Sequence, residues 1–221
     1  MNSAVPYLLT GSGGIDLAKP DPDQITVADI ALSLGREGRY AGHTEEHFSV
    51  AQHSMLVAML VPSSLRLDAL LHDATEAYLK DLPRPVKVLC HDYQKLEERL
   101  ASAIGERFGI GGMCAEVKQA DEIAYHLEIN SEFCSRLLPS YKQPYYGSPP
   151  PVPTPAQQSL VRYHQNPNAL PEEYGCLLGS LAPSGLIGDC WSAEEATSYF
   201  TIALIYEINR RKEMEKAHAR L

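Results

Sequence analysis

From Ser49 onward, apolar residues recur mostly at helical spacing. In "SLRLDALLHDATEAYL", Leu67, Leu70, Leu71, Ala74 and Tyr78 follow a 3.6-residue period, which predicts one helix. The preceding "VAQHSMLVAMLV" reads as another, with Ser49 as N-cap and Pro62 at its end, so the two segments are expected to pack as a helical hairpin. Pro83 and Pro85 then break the chain. "DYQKLEERLASAIGERFGI" predicts a third helix, with Asp92 as candidate cap and Leu96, Leu100 and Ile104 on one face. A fourth runs through "AEVKQADEIAYHLEINSEFCSRLL". The last, "WSAEEATSYFTIALIYEINRRKEMEKAHAR", opens on an S-x-x-E capping box at Ser192 and Glu195 and continues an apolar stripe through Phe200, Leu204 and Ile208.

Two regions depart from this pattern. Near the N-terminus, "TGSGG" between "YLL" and "IDL" has the chemistry of a short hairpin, and "KPDPDQ" that of a loop. A phosphate-cradling loop is the alternative, but the GK[ST] ending is absent. Asp29 to Leu34 predicts a short helix before the glycine-interrupted "GREGRYAGH". Between residues 139 and 190 the apolar period is lost and ten of the sixteen prolines gather, as expected of an insertion or lid. The fold class is therefore all-α: a helical bundle with a short N-terminal hairpin and a proline-rich insertion before the C-terminal helix. A length of 221 residues suits a single domain over 1–221.

Composition narrows the partners. A net charge of −9 disfavours long nucleic acids, because an acidic surface forfeits the counterion release that drives such binding. A small phosphorylated substrate needs only a local cationic pocket. The five cysteines are scattered, without a C-x-x-C pair, so free thiols are expected rather than disulfides or a thiolate zinc site. Neither a signal peptide nor a membrane-spanning run is visible, and a cytoplasmic protein is expected.

The candidate chemistry sits in "LLHDATEAYLKDLPRPVK". On a helix, His72 and Glu76 lie one turn apart on one face, with Asp73 beside them. An HD dipeptide alone is weak evidence, since a helix surface tolerates it. His53 on the preceding helix and Asp121 on a later one strengthen it. His53, His72, Asp73 and Asp121 form an N/O ligand set suited to zinc, iron, manganese or cobalt, with positions left for water and substrate. His43 and His47 in "GHTEEH" could hint at a second metal, although loop histidines beside glutamates are more often surface residues.

The blocks "RYAGHTEEHFSVAQHS", "ALLHDATEAYLKDLPRPVK" and "KQADE" resemble the HD-domain phosphohydrolases. The likeness is to their small nucleotide-cleaving branch, which includes bacterial 5'-deoxynucleotidases and phage-type dATP triphosphohydrolases. It covers roughly residues 5–138 and resumes near Trp191. The resemblance implies metal ligands at His53, His72, Asp73 and Asp121, and an acid/base or water-positioning carboxylate at Glu76. It also implies phosphate contacts from Lys87 and Arg39, an aromatic substrate contact at Tyr40 and a further cation at Lys118, the residue that inclines the reading toward triphosphates. Roughly residues 140–188 exceed what compact relatives need and have no counterpart to guide them.

The expected function is hydrolysis of a deoxynucleoside triphosphate, dATP first, to deoxynucleoside and triphosphate, with a divalent transition metal as cofactor. A 5'-deoxynucleotidase acting on monophosphates is the nearest rival. A nucleotide-sensing module without turnover is the rival of another class. The resemblance further implies a symmetric homo-oligomer, with a hexamer among the expected forms, in the cytoplasm or, for a phage-borne gene, the host cytoplasm.

Overall fold

The computed structural model describes residues 7–129, 131 and 190–219. The proline-rich stretch expected as an insertion or lid therefore lies, apart from Cys190, outside the described residues.

The hairpin forms as its turn chemistry demands. Strands β1 (Tyr7–Thr10) and β2 (Gly13–Asp16) pair antiparallel across a loop of Gly11 and Ser12, with Leu8 opposite Ile15. Asp29 ties this loop down, accepting from Thr10 Oγ1 at 2.9 Å and from the Ser12 amide at 3.0 Å. Helix α1 (Val27–Arg36) starts earlier than Asp29, because Thr26 Oγ1 accepts from the Asp29 amide and caps it.

Helix α2 (Val50–Met59) is capped by Ser49 and buried at all ten positions, as an element apolar on every side must be. The helix expected over 64–79 is instead split into α3 (Arg66–Leu70) and α4 (Glu76–Leu79). Between them, the amides of Ala74, Glu76, Ala77 and Tyr78 bond the carbonyl three residues back, tightening the chain into turns. The His72 ring contributes, with Nδ1 donating to the Ala69 carbonyl at 2.8 Å.

A single turn, α5 (Arg84–Lys87), follows Pro83. Helix α6 (His91–Phe108) begins after Cys90, and Asp92, expected as its cap, lies inside the first turn paired with Lys95 at 2.9 Å. The cause is continuity: Leu89 and Cys90 already bond back to Val86 and Lys87, leaving no extended residue at Asp92 to cap from. Gly109, at φ 64°, ends α6 in the left-handed region. Leu100 and Ile104 reach the core as expected, whereas Leu96 is only partly buried.

Helix α7 spans Ala115–Ile129, and its expected continuation to 138 lies, Ser131 apart, outside the described residues. Helix α8 (Ala193–His218) opens on the expected capping box, in which Ser192 Oγ accepts from the Glu195 amide and Glu195 from the Ser192 amide. It packs along α1 and also meets α2 and α3, burying Ala196, Phe200, Ala203 and Leu204 completely. The α1–α8 approach needs Gly35, where a Cβ would fall 2.8 Å from the Thr197 backbone nitrogen. Trp191, just before α8, donates its amide to Gln52 Oε1 of α2 at 3.0 Å. Among the described residues, no helix is long and apolar enough to cross a membrane.

Candidate metal centre

Three elements aim side chains at one point: α2 supplies His53, the turns between α3 and α4 supply His72 and Asp73, and α7 supplies Asp121. Packing of α2 against both α3 and α7 brings them together. Ligand atoms of His53, His72 and Asp73 lie within 4.8 Å of one another. His53 Nε2 is 3.6 Å from Asp73 Oδ2 and 3.1 Å from Asp121 Oδ1. His72 Nε2 stands 3.1 Å from Asp73 Oδ2 and 3.9 Å from Asp121 Oδ1. His53, His72 and Asp73 thus form one compact group, and Asp121 approaches it on the side of the two imidazoles. The break after α3 matters here, since neighbours on a regular helix diverge by about 100° around its axis.

Both histidines are held from behind. His72 Nδ1 bonds the Ala69 carbonyl, and His53 Nδ1 meets Glu128 Oε1 at 2.5 Å. Each ring then presents Nε2 to the cluster, and neither Nε2 has a hydrogen-bond partner although both are buried. The carboxylates nearby are close but out of line for a hydrogen bond. Two buried, unpartnered nitrogens facing two carboxylates fit a divalent transition metal, in the arrangement where an outer carboxylate or carbonyl fixes the ligand tautomer.

Arg39 enters from a loop pinched shut at its neck, where the Arg39 amide bonds the Phe48 carbonyl at 2.9 Å and the Val50 amide bonds Glu37 at 3.0 Å. Tyr40 and Ala41 hold positive φ of 57° and 53°, strain that sits beside the cluster. The Arg39 guanidinium donates from Nε to Glu128 Oε2 at 2.9 Å and lies 3.9 Å from Asp73. The Tyr40 hydroxyl donates to the same Glu128 oxygen at 2.7 Å.

Burial works against charge throughout this site, and the pairing decides the outcome. Burial and then Arg39 press the His53 proton affinity down, but Glu128 and Asp121 outweigh them and carry its pKa to about 9. Burial raises the Asp73 and Asp121 pKa values, yet the two imidazoles bring both below the usual carboxylate range. Glu128 stays low against its own burial because Arg39 and His53 surround it. Glu76 goes the other way: burial first, then Asp73 and Asp81, raise it well above the ordinary value. It is 8% exposed and its Oε2 has no partner, which suits a group that exchanges a proton.

The expected cations are distributed unevenly. Lys87 is held by Glu97 and lies 5.8 Å from the centre of the Tyr93 ring. Lys118 is exposed on α7. His47, considered for a second metal, places Nε2 3.0 Å from the Gly35 carbonyl, so that ring nitrogen serves the loop instead.

Two residues escaped the sequence reading. Glu97 lies ten residues beyond Lys87, and only the fold brings the two together. Glu128 is fully buried, and the available signal was its position seven residues after Asp121, on the same face of α7.

No protein-family model matches the chain. It is similar to the uncharacterized protein YfdR of Escherichia coli, 45% identical over 106 residues that cover 48% of this chain and 60% of that protein. It is also similar to the uncharacterized protein RCAP_rcc00048 of Rhodobacter capsulatus, 34% identical over 153 residues, 62% of this chain and 77% of that protein. The chain thus spans less than two thirds of the first relative and more than three quarters of the second.

Proposed function

Starting from a chain that belongs to one family with RCAP_rcc00048, we propose a metal-dependent phosphohydrolase of the HD-domain type, acting on a deoxynucleotide, with dATP hydrolysed to deoxynucleoside and triphosphate. The observation that supports it is the pair of buried Nε2 atoms, each with its Nδ1 held from behind, facing Asp73 and Asp121.

His53, His72, Asp73 and Asp121 would hold the ion, with zinc, cobalt, manganese and iron as the candidates for this N/O set. Bound there, a metal acidifies water and stabilises charge developing on phosphoryl oxygens. Glu76 takes a proton from the attacking water, which adds to the α-phosphorus while the bond to the sugar 5'-oxygen breaks and that oxygen is protonated. Arg39, already 3.9 Å from Asp73, meets the phosphate edge of the site, and Lys87 and Lys118 neutralise the outer phosphates. Tyr40 packs against the substrate from the same loop as Arg39.

A specific observation favours the second reading, a 5'-deoxynucleotidase. Lys87 is neutralised by Glu97 and Arg39 by Glu128, so the charge available for a polyphosphate is small unless substrate displaces these partners. A non-catalytic sensing module has less support, because it needs no buried Glu76 beside its metal. The homo-oligomer and the cytoplasmic location implied by the resemblance belong to the same proposal.

The test is a product-resolved screen of dNTPs and dNMPs with zinc, cobalt, manganese and iron. Triphosphate appearing from dATP supports the first reading. Phosphate released from monophosphates alone moves the assignment to the second. Tight nucleotide binding without turnover under every metal leaves the sensing module.

A further inference from the structure

We infer that Glu128 is a positioning residue whose two oxygens do separate jobs: one sets the metal-ready face of His53, and the other anchors the Arg39–Tyr40 loop. The inference rests on the metal-site reading above. Glu128 is fully buried. Its Oε1 lies 2.5 Å from His53 Nδ1, while its Oε2 receives Arg39 Nε at 2.9 Å and the Tyr40 hydroxyl at 2.7 Å. Helix α7 thus delivers one ligand directly, Asp121, and the support of another two turns later.

An ionised carboxylate only accepts hydrogen bonds, so all three partners must donate. For His53 this places the proton on Nδ1 and leaves the Nε2 lone pair for a metal. The same demand pins Arg39 and Tyr40, and Tyr40 is one of two consecutive residues at positive φ that need holding. One carboxylate therefore links the state of the metal ligand to the placement of the substrate-facing cation.

Glutamine has nearly the same shape and cannot serve both sides. If its oxygen faces His53, its NH2 group opposes two donors, Arg39 Nε and Tyr40 OH. If its oxygen faces those donors, its NH2 group points at His53 Nδ1, which must then accept, moving the imidazole proton onto Nε2 where the metal should bind. Glu128→Gln consequently separates the all-acceptor character of this residue from its packing.

The experiment is zinc titration of the metal-free protein against a competing chelator. Glu128→Gln should weaken zinc by about 10- to 100-fold, the usual effect of losing a ligand's supporting carboxylate, whereas Tyr40→Phe should stay within about threefold of the parent. Nitrogen-15 spectra of the zinc-loaded parent should show the His53 proton on Nδ1, and this measurement stands even if the Gln variant fails to fold. Zinc affinity of Glu128→Gln within about threefold of the parent, or zinc on His53 Nδ1, overturns the inference. If the parent takes up none of zinc, cobalt, manganese or iron, this inference and the phosphohydrolase reading both fall. If the parent binds zinc normally and the variant matches it, only this inference does.

Discussion

Replacing Glu76 with Gln should make the metal-free protein more stable at alkaline pH while removing turnover from the metal-loaded protein. In the unfolded chain the Glu76 carboxyl has its ordinary pKa of 4.5, whereas in the folded chain burial, Asp73 and Asp81 hold it well above that. Between those two values the folded protein keeps a proton that the unfolded chain has lost. Stability must therefore fall as pH rises through the window, and each tenfold difference in proton affinity costs about 1.4 kcal/mol. Below pH 4.5 both states are protonated and the penalty vanishes. Glutamine cannot ionise, so with chelator present the variant should be more stable than the parent at pH 8, by a margin that shrinks toward zero near pH 4. Urea unfolding at the two pH values measures this difference directly. Loss of the proton-accepting group should lower kcat of the loaded protein by about 10²- to 10⁴-fold. A stability difference that does not change with pH, or a variant that still turns over at the parent rate, refutes the assignment of Glu76 as a proton-exchanging carboxyl held above its normal range.

Stripping the metal with chelator should lower the melting temperature, and restoring zinc to about 100 times its dissociation constant should return roughly 2.7 kcal/mol, an increment that His72→Ala should abolish. The His53 pKa near 9 contributes stability to the metal-free protein that is full below 6.5 and lost as pH rises through about 9. Zinc affinity should climb over that same interval as the competing proton leaves; a flat profile contradicts the His53 assignment. Lys87→Ala combined with Lys118→Ala should damage triphosphate hydrolysis far more than monophosphate hydrolysis, and equal losses in paired kinetic assays favour the nucleotidase. Gly35→Ala should lose about 1–3 kcal/mol in thermal unfolding despite a helix-propensity gain of about 1 kcal/mol, because the contact is with Thr197 backbone; a stabilised variant contradicts the tight α1–α8 approach.

The starts of α2 and α8 were legible because Ser49 and Ser192 are local chemistry: each hydroxyl accepts from the amide three residues on. Thr26 carries the same local signal three residues before Asp29, whose carboxylate in the fold holds the hairpin loop. The break after Leu70 was not legible. Leu67, Leu70, Leu71, Ala74 and Tyr78 keep a helical period across it, since a chain bonding three residues back still turns its apolar side chains inward. The four ligands could be proposed from residue type and order, but their support could not. Glu128 looks like any acid on an amphipathic helix until α7 docks on α2 and closes water away from it. Lys87 likewise reads as a free cation until Glu97, ten residues on, turns toward it.

The chain contains one tryptophan, and its position gives the molecule a built-in optical reporter. Trp191 is 5% exposed, stacks edge-on against Tyr199 at 4.8 Å between ring centres, and joins its amide to Gln52, the residue before His53. Its emission should shift to the red when α8 leaves α2, with Tyr199 feeding it energy while the seam is shut. A single wavelength therefore follows the closing of the helix that carries His53, without any label.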